Sequence, residues 1–92
     1  MAKVLETAIL EMGRKSGGQT FCPTEVVKWL YPQAWSHFIN DIHETMMEMY
    51  REGKISVCQD GKEISPDLMP EGAVRITNNL GGDVLTQIAL NG

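Results

Sequence analysis

Apolar residues recur along the chain first at helical and then at alternating spacing, and the change of period divides it into elements. From Lys3 to about Met12, Val4, Leu5, Ala8, Ile9 and Met12 fall on one side of a helix, with Lys3, Glu6 and Glu11 on the other. Gly13 and then Gly17-Gly18 close this first helix, and Arg14 and Lys15 lie near the negative end of its dipole. Thr20 and Phe21 form a short extended piece before the best-specified element, a helix over Pro23 to Leu30. Pro23 suits the first helical position, where its missing N–H is one that the helix leaves unpaired anyway, and Glu25 is within reach of the cap backbone. Phe21 before the cap and Val26 in the first turn have the spacing of a hydrophobic staple. Tyr31-Pro32 stops this helix, because the residue before a proline avoids helical geometry.

A longer helical region follows, from Gln33 to Glu52, with Phe38, Ile39, Ile42, Met46, Met49 and Tyr50 as its apolar stripe. Ser36 and Asn40 are alternative caps, which leaves room for a separate turn around Trp35. Gly53 is the expected left-handed stop. The pattern then alternates over Lys54 to Gln59, turns at Asp60-Gly61 and returns briefly through Lys62-Glu63-Ile64 until Pro66 interrupts it. Ser65 to Gly72 is the loop of a wing, and Ala73 to Thr77 is a further strand with Val74 and Ile76 on one face. Three helices followed by a small antiparallel hairpin predict an α+β fold, a winged helix-turn-helix over residues 1–77. Residues 78–92 form a C-terminal extension, with Gly81-Gly82 as a hinge and Asp83 as a cap. Its apolar residues fit a helix at 84, 85 and 88 or a strand at 84, 86, 88 and 90, and periodicity does not choose between them. An apolar tail on so small a domain needs a surface to cover it, its own core or a second chain, so Val84, Leu85, Ile88 and Leu90 are candidate homodimer contacts.

Phe-Cys-Pro-Thr-Glu-Val-Val at 21–27, Trp35, Arg51-Glu52-Gly53-Lys54-Ile55, Gln59-Asp60-Gly61 and Val74-Arg75-Ile76 together resemble the bacterial domain of unknown function 3253. The resemblance runs from about Val4 to Thr77. It implies a winged-helix-like fold in a family without an established activity. The family pattern places an arginine after the tryptophan and another a turn or two later, where this chain has Ser36 and His43. The cations that a groove-facing helix would use are therefore missing.

Ninety-two residues make one domain, and 42% hydrophobic with 22% charged residues is an ordinary globular balance. No apolar run approaches the roughly 20 residues that cross a bilayer. Glu6 and Glu11 break the N-terminal apolar pattern, so a cytoplasmic location is the default, and Cys22 and Cys58 read as reduced thiols. The formal charge of −4 matters most for partners. Between Ser36 and Glu52, Asp41, Glu44, Glu48 and Glu52 oppose Arg51, a formal −3 on the helix that would enter a DNA groove. Lys28, Lys54, Lys62 and Arg75 are the candidate nucleic-acid contacts, as a basic edge along the second helix and wing. Cys22, His37, His43 and Cys58 lack the close spacing of a zinc site, and no metal, cofactor or catalytic set is expected. Glu44 and Glu48, one turn apart, read as a solvated face. Glu25 and Arg75 are a candidate ion pair across the fold. Met46 and Met49 fill the core, whereas Met47 points outward and joins Asp41, Glu44 and Glu48 as a candidate partner surface. Trp29 and Trp35 read as packing between helices. These features predict a non-enzymatic binding module for protein–protein or self-association. The alternative is a DNA-binding transcriptional regulator that contacts DNA through the wing.

Overall fold

The computed structural model describes residues 2–78. Three helices, α1 (Ala2–Lys15), α2 (Pro23–Leu30) and α3 (Ile39–Arg51), precede three strands, β1 (Ile55–Gln59), β2 (Lys62–Glu63) and β3 (Arg75–Asn78). All three helices pack on one another, while α1 also contacts β3 and α3 contacts β1. This is the winged-helix-like arrangement that the change of period predicts.

Helix α2 begins and ends where the chain chemistry places it. Cys22 is the extended cap residue and Pro23 occupies the first turn. Phe21 and Val26 are both buried, as a staple requires. The Glu25 side chain, however, does not return to the cap backbone. Its carboxylate accepts the Cys22 thiol at an S···O distance of 3.7 Å, while the Glu25 backbone N–H donates to the Cys22 carbonyl at 3.0 Å. At the other end the Tyr31 N–H donates to the Val27 carbonyl at 2.7 Å, and Pro32 prevents a further turn.

Two boundaries differ from the sequence expectation. Helix α1 continues through Gly13 to Lys15, and the chain leaves it through Gly17 and Gly18, with φ of 62° and 93°. Gly13 is a point of close approach rather than a stop, since a Cβ placed there would lie 2.6 Å from the Cβ of Asn78. Neither Ser36 nor Asn40 caps α3. A 3₁₀ turn over Trp35–Phe38 leads directly into it, and the Tyr31 ring stacks on Phe38 with centroids 4.3 Å apart.

The sheet order is β2-β1-β3, wholly antiparallel. Asp60 and Gly61 both have positive φ, 54° and 82°, the geometry of a two-residue type I′ turn that follows the strand twist. Val57 opposes Ile76 and Cys58 opposes Arg75 across β1 and β3. Beyond β3, Phe21 exchanges backbone hydrogen bonds with Ile76 at 3.0 and 2.6 Å. The residue before the α2 cap is thereby tied to the sheet edge, which fixes α2 against the wing. Ile9, Val26, Val27, Ile42, Met46 and Ile76 are fully buried where the helices and the sheet meet.

Candidate interaction site

The outward face of α3 is acidic. Asn40, Asp41, Glu44 and Glu48 are exposed on it, whereas Met47 is 1% exposed and belongs to the core. The outward assignment of Met47 is thus corrected. Helix α3 is enclosed by α1, α2, the 3₁₀ turn and β1, so its buried arc is wider than the apolar stripe alone indicates. Arg51 is exposed, but its guanidinium donates to the Pro66 carbonyl at 3.2 Å and braces the wing. His43 is half-buried, and burial holds its pKa below the ordinary 6.5, so the helix gains no charge from it at neutral pH.

The four candidate basic residues do not share one face. Lys28 lies over the Trp35 ring, 4.5 Å from its centroid. Lys54 is 3.1 Å from Glu52 and 3.8 Å from Glu6, and the hydrogen bond to Glu52, helped by the charges of both carboxylates, raises its pKa above the ordinary lysine value. Lys62 opposes Gln59 and Arg75 opposes Cys58. Opposed residues point to the same side of a sheet and successive residues to opposite sides, so Lys62 and Arg75 diverge. Arg75 spends its guanidinium on Thr20, donating to its hydroxyl and its carbonyl at 3.0 Å each. The proposed Glu25–Arg75 pair is therefore replaced by two separate contacts, Glu25 to Cys22 and Arg75 to Thr20.

A groove opens instead between α1 and α2, with a volume of about 470 Å³. Lys3, Val4, Thr7, Ala8 and Glu11 line it from α1, with Trp29 and Leu30 from α2. Val4 is 48% exposed and Trp29 43%, so neither belongs to the interior packing that their apolar character suggests. Lys15 lies over the Trp29 ring, 4.8 Å from its centroid, and Glu11 is paired with Arg14. Lys3 and Lys15 thus give the rim a positive balance. The sequence does carry a signal for this site. Val4 is flanked along one helix side by Lys3, Thr7 and Glu11, which puts it at the margin of the apolar stripe rather than its centre.

The second apolar feature is the wing loop between β2 and β3. Leu68 is 70% exposed and Met69 51%, between Pro66 and Pro70 and beside Asp67 and Glu71. Three side chains hold the base of this loop. The Tyr50 hydroxyl donates to the Ile64 carbonyl, Arg51 to that of Pro66, and the Gln59 amide to those of Glu71 and Ala73. Burial raises the Tyr50 pKa above 10.0, with the charges of Glu63 and Cys58 adding to the effect, so the phenol stays a donor at neutral pH.

Cys22 starts α2 and Cys58 lies on β1, both as free, half-buried thiols. Among the described residues, no three His, Cys, Asp or Glu side chains converge as metal ligands. Among those residues, too, no helix is long and apolar enough to cross a membrane. Val84, Leu85, Ile88 and Leu90 lie outside the described residues. A protein-family model matches residues 2–79, under the description "Protein of unknown function (DUF3253)". No curated protein matches the chain.

Proposed function

Because this chain belongs to the DUF3253 family, whose description assigns no function, we propose a role from its surfaces: a non-catalytic module that binds protein, through the α1–α2 groove. The observation that carries this reading is the exposure of Val4 and Trp29 along one apolar groove in so small a domain. Exposed apolar area of that kind, rimmed by charge, is what protein partners cover. The acidic face of α3 argues in the same direction. On a winged helix this face meets the duplex, and Asp41, Glu44 and Glu48 would repel phosphates there.

Binding to DNA through the wing draws little support from the same geometry, because Lys54 is paired with Glu52 and Glu6 and Lys62 and Arg75 diverge. Glu44 and Glu48 lie on the exposed α3 face, away from the groove, and the Cys22 thiol is engaged by Glu25, which fits a non-catalytic role. Fluorescence anisotropy with a generic duplex in low salt tests the choice. No binding is expected, and binding that weakens steeply with added salt would reverse the assignment. Retention of proteins from a nuclease-treated extract on the immobilised chain is expected to fall with Val4→Glu plus Thr7→Glu. Equal retention on the native chain and this variant rules out the groove.

A further inference from the structure

We propose that the groove between α1 and α2 receives the wing loop of a second copy of this chain, with Leu68 and Met69 entering beside Val4 and Trp29. This deepens the protein-binding reading and rests on it, adding the identity of the partner. The molecule carries both halves of an apolar contact. One is concave, the groove of about 470 Å³ lined by Val4, Ala8, Trp29 and Leu30. The other is convex, a loop tip whose Leu68 is 70% and Met69 51% exposed.

The loop tip is suited to dock as it stands. Pro66 and Pro70 restrict the backbone on either side of the pair. Tyr50, Arg51 and Gln59 fasten the flanking carbonyls of Ile64, Pro66, Glu71 and Ala73. A projection already held in shape loses little conformational freedom on binding, which is where association free energy is otherwise spent.

Charge complementarity selects the partner. Asp67 and Glu71 flank the apolar pair of the loop. Lys3 lines the groove and Lys15 lies over Trp29, while Glu11, the acid in the groove wall, is occupied by Arg14. A negative collar around an apolar tip thus meets a positive rim around an apolar cleft. Opposite potentials of this kind favour the encounter and set the orientation. The contact joins unlike surfaces of two identical chains, so each protomer offers one tip and one groove.

That duality supplies the test. Sedimentation of the full chain is expected to show self-association that Leu68→Asp plus Met69→Asp weakens by at least about 30-fold, the effect of removing a central apolar anchor. Val4→Glu plus Thr7→Glu is expected to weaken it as much, by putting negative charge where the acidic collar must sit. Thr7 and Leu68 are exposed and Val4 and Met69 are about half-exposed, and circular dichroism verifies that both variants keep the native fold. Mixing the two variants restores a hetero-complex, because one supplies an intact tip and the other an intact groove. A native chain that remains monomeric at millimolar concentration overturns the proposal, as do variants that weaken association singly yet fail to complement each other. If the groove variant alone loses a foreign partner while self-association is absent, the second copy is wrong and the protein-binding role of the groove survives. Val84→Asp plus Leu85→Asp in the full chain reports on the tail: loss of association with that variant but not with the tip variant also overturns the proposal.

Discussion

Replacing Gly13 with alanine is expected to destabilise the domain, although the same change in most helix interiors is stabilising. In an unobstructed helix, glycine to alanine gains about 1 kcal/mol from backbone entropy and propensity. At Gly13 the added methyl would lie 2.6 Å from Cβ, 2.7 Å from Nδ2 and 3.0 Å from Cγ of Asn78. The nearest of these atoms is not the free end of a flexible side chain, so the end of β3 must move. Overpacking of this kind costs about 1–3 kcal/mol. Displacing Asn78 also breaks its amide hydrogen bond to the Leu10 carbonyl, 3.2 Å long, which contributes about 1 kcal/mol. The net expectation is a loss of about 1–3 kcal/mol, and at about 4–8 °C per kcal/mol for a domain of this size the midpoint falls by about 4–24 °C. Thermal and urea unfolding followed by circular dichroism measure it. Asn78→Gly provides the control, because it removes every atom in the clash, and in that background Gly13→Ala should become stabilising by about 1 kcal/mol. A higher midpoint for Gly13→Ala in the native background would refute the close-approach argument.

Further expectations follow from the wing and from α3. The His43 pKa is lowered by burial, so the folded state favours neutral imidazole; its stabilising contribution is full above pH 6.5 and is lost as pH falls through the lower folded value. His43→Gln should remove that part of the acid dependence, and identical pH profiles in urea unfolding would contradict it. Tyr50→Phe deletes the donor to the Ile64 carbonyl, and the expected result is faster proteolytic cleavage within 64–70 with a stability loss of about 1 kcal/mol. An unchanged cleavage rate would show that Arg51 and Gln59 hold the loop without Tyr50. Arg75→Gln should lower the midpoint by loosening β3 from Thr20, and its effect should add to that of Glu25→Gln because the two side chains have separate partners. A coupling above about 0.5 kcal/mol would restore the direct pair.

Much of the fold is local chemistry and can be read before any contact is known. The Pro23 start, the Tyr31-Pro32 stop and the Asp60-Gly61 turn each depend on backbone preferences of one or two residues, and each lies where those preferences put it. The helical and alternating periods add the order of elements, because burying one face is enough to set a period. The candidate site was less legible, since exposure at a stripe margin depends on how wide an arc the neighbours cover. Met47 lies inside because four elements surround α3, whereas Val4 and Trp29 line the open groove between α1 and α2 and stay exposed.

The partners of charged groups were similarly open. Glu25 and Arg75 have opposite charges, but the bridge between Phe21 and Ile76 brings Thr20 to Arg75 and leaves Glu25 with Cys22. Sequence by itself therefore determined the elements, their order and the acidic balance of the third helix, all of which depend on neighbours along the chain. Tertiary structure alone decided that Gly13 faces Asn78, that Lys62 and Arg75 diverge, and that, among the described residues, an apolar groove and an apolar loop tip stay exposed. Those outcomes depend on which surfaces meet across the fold, and no local preference encodes that.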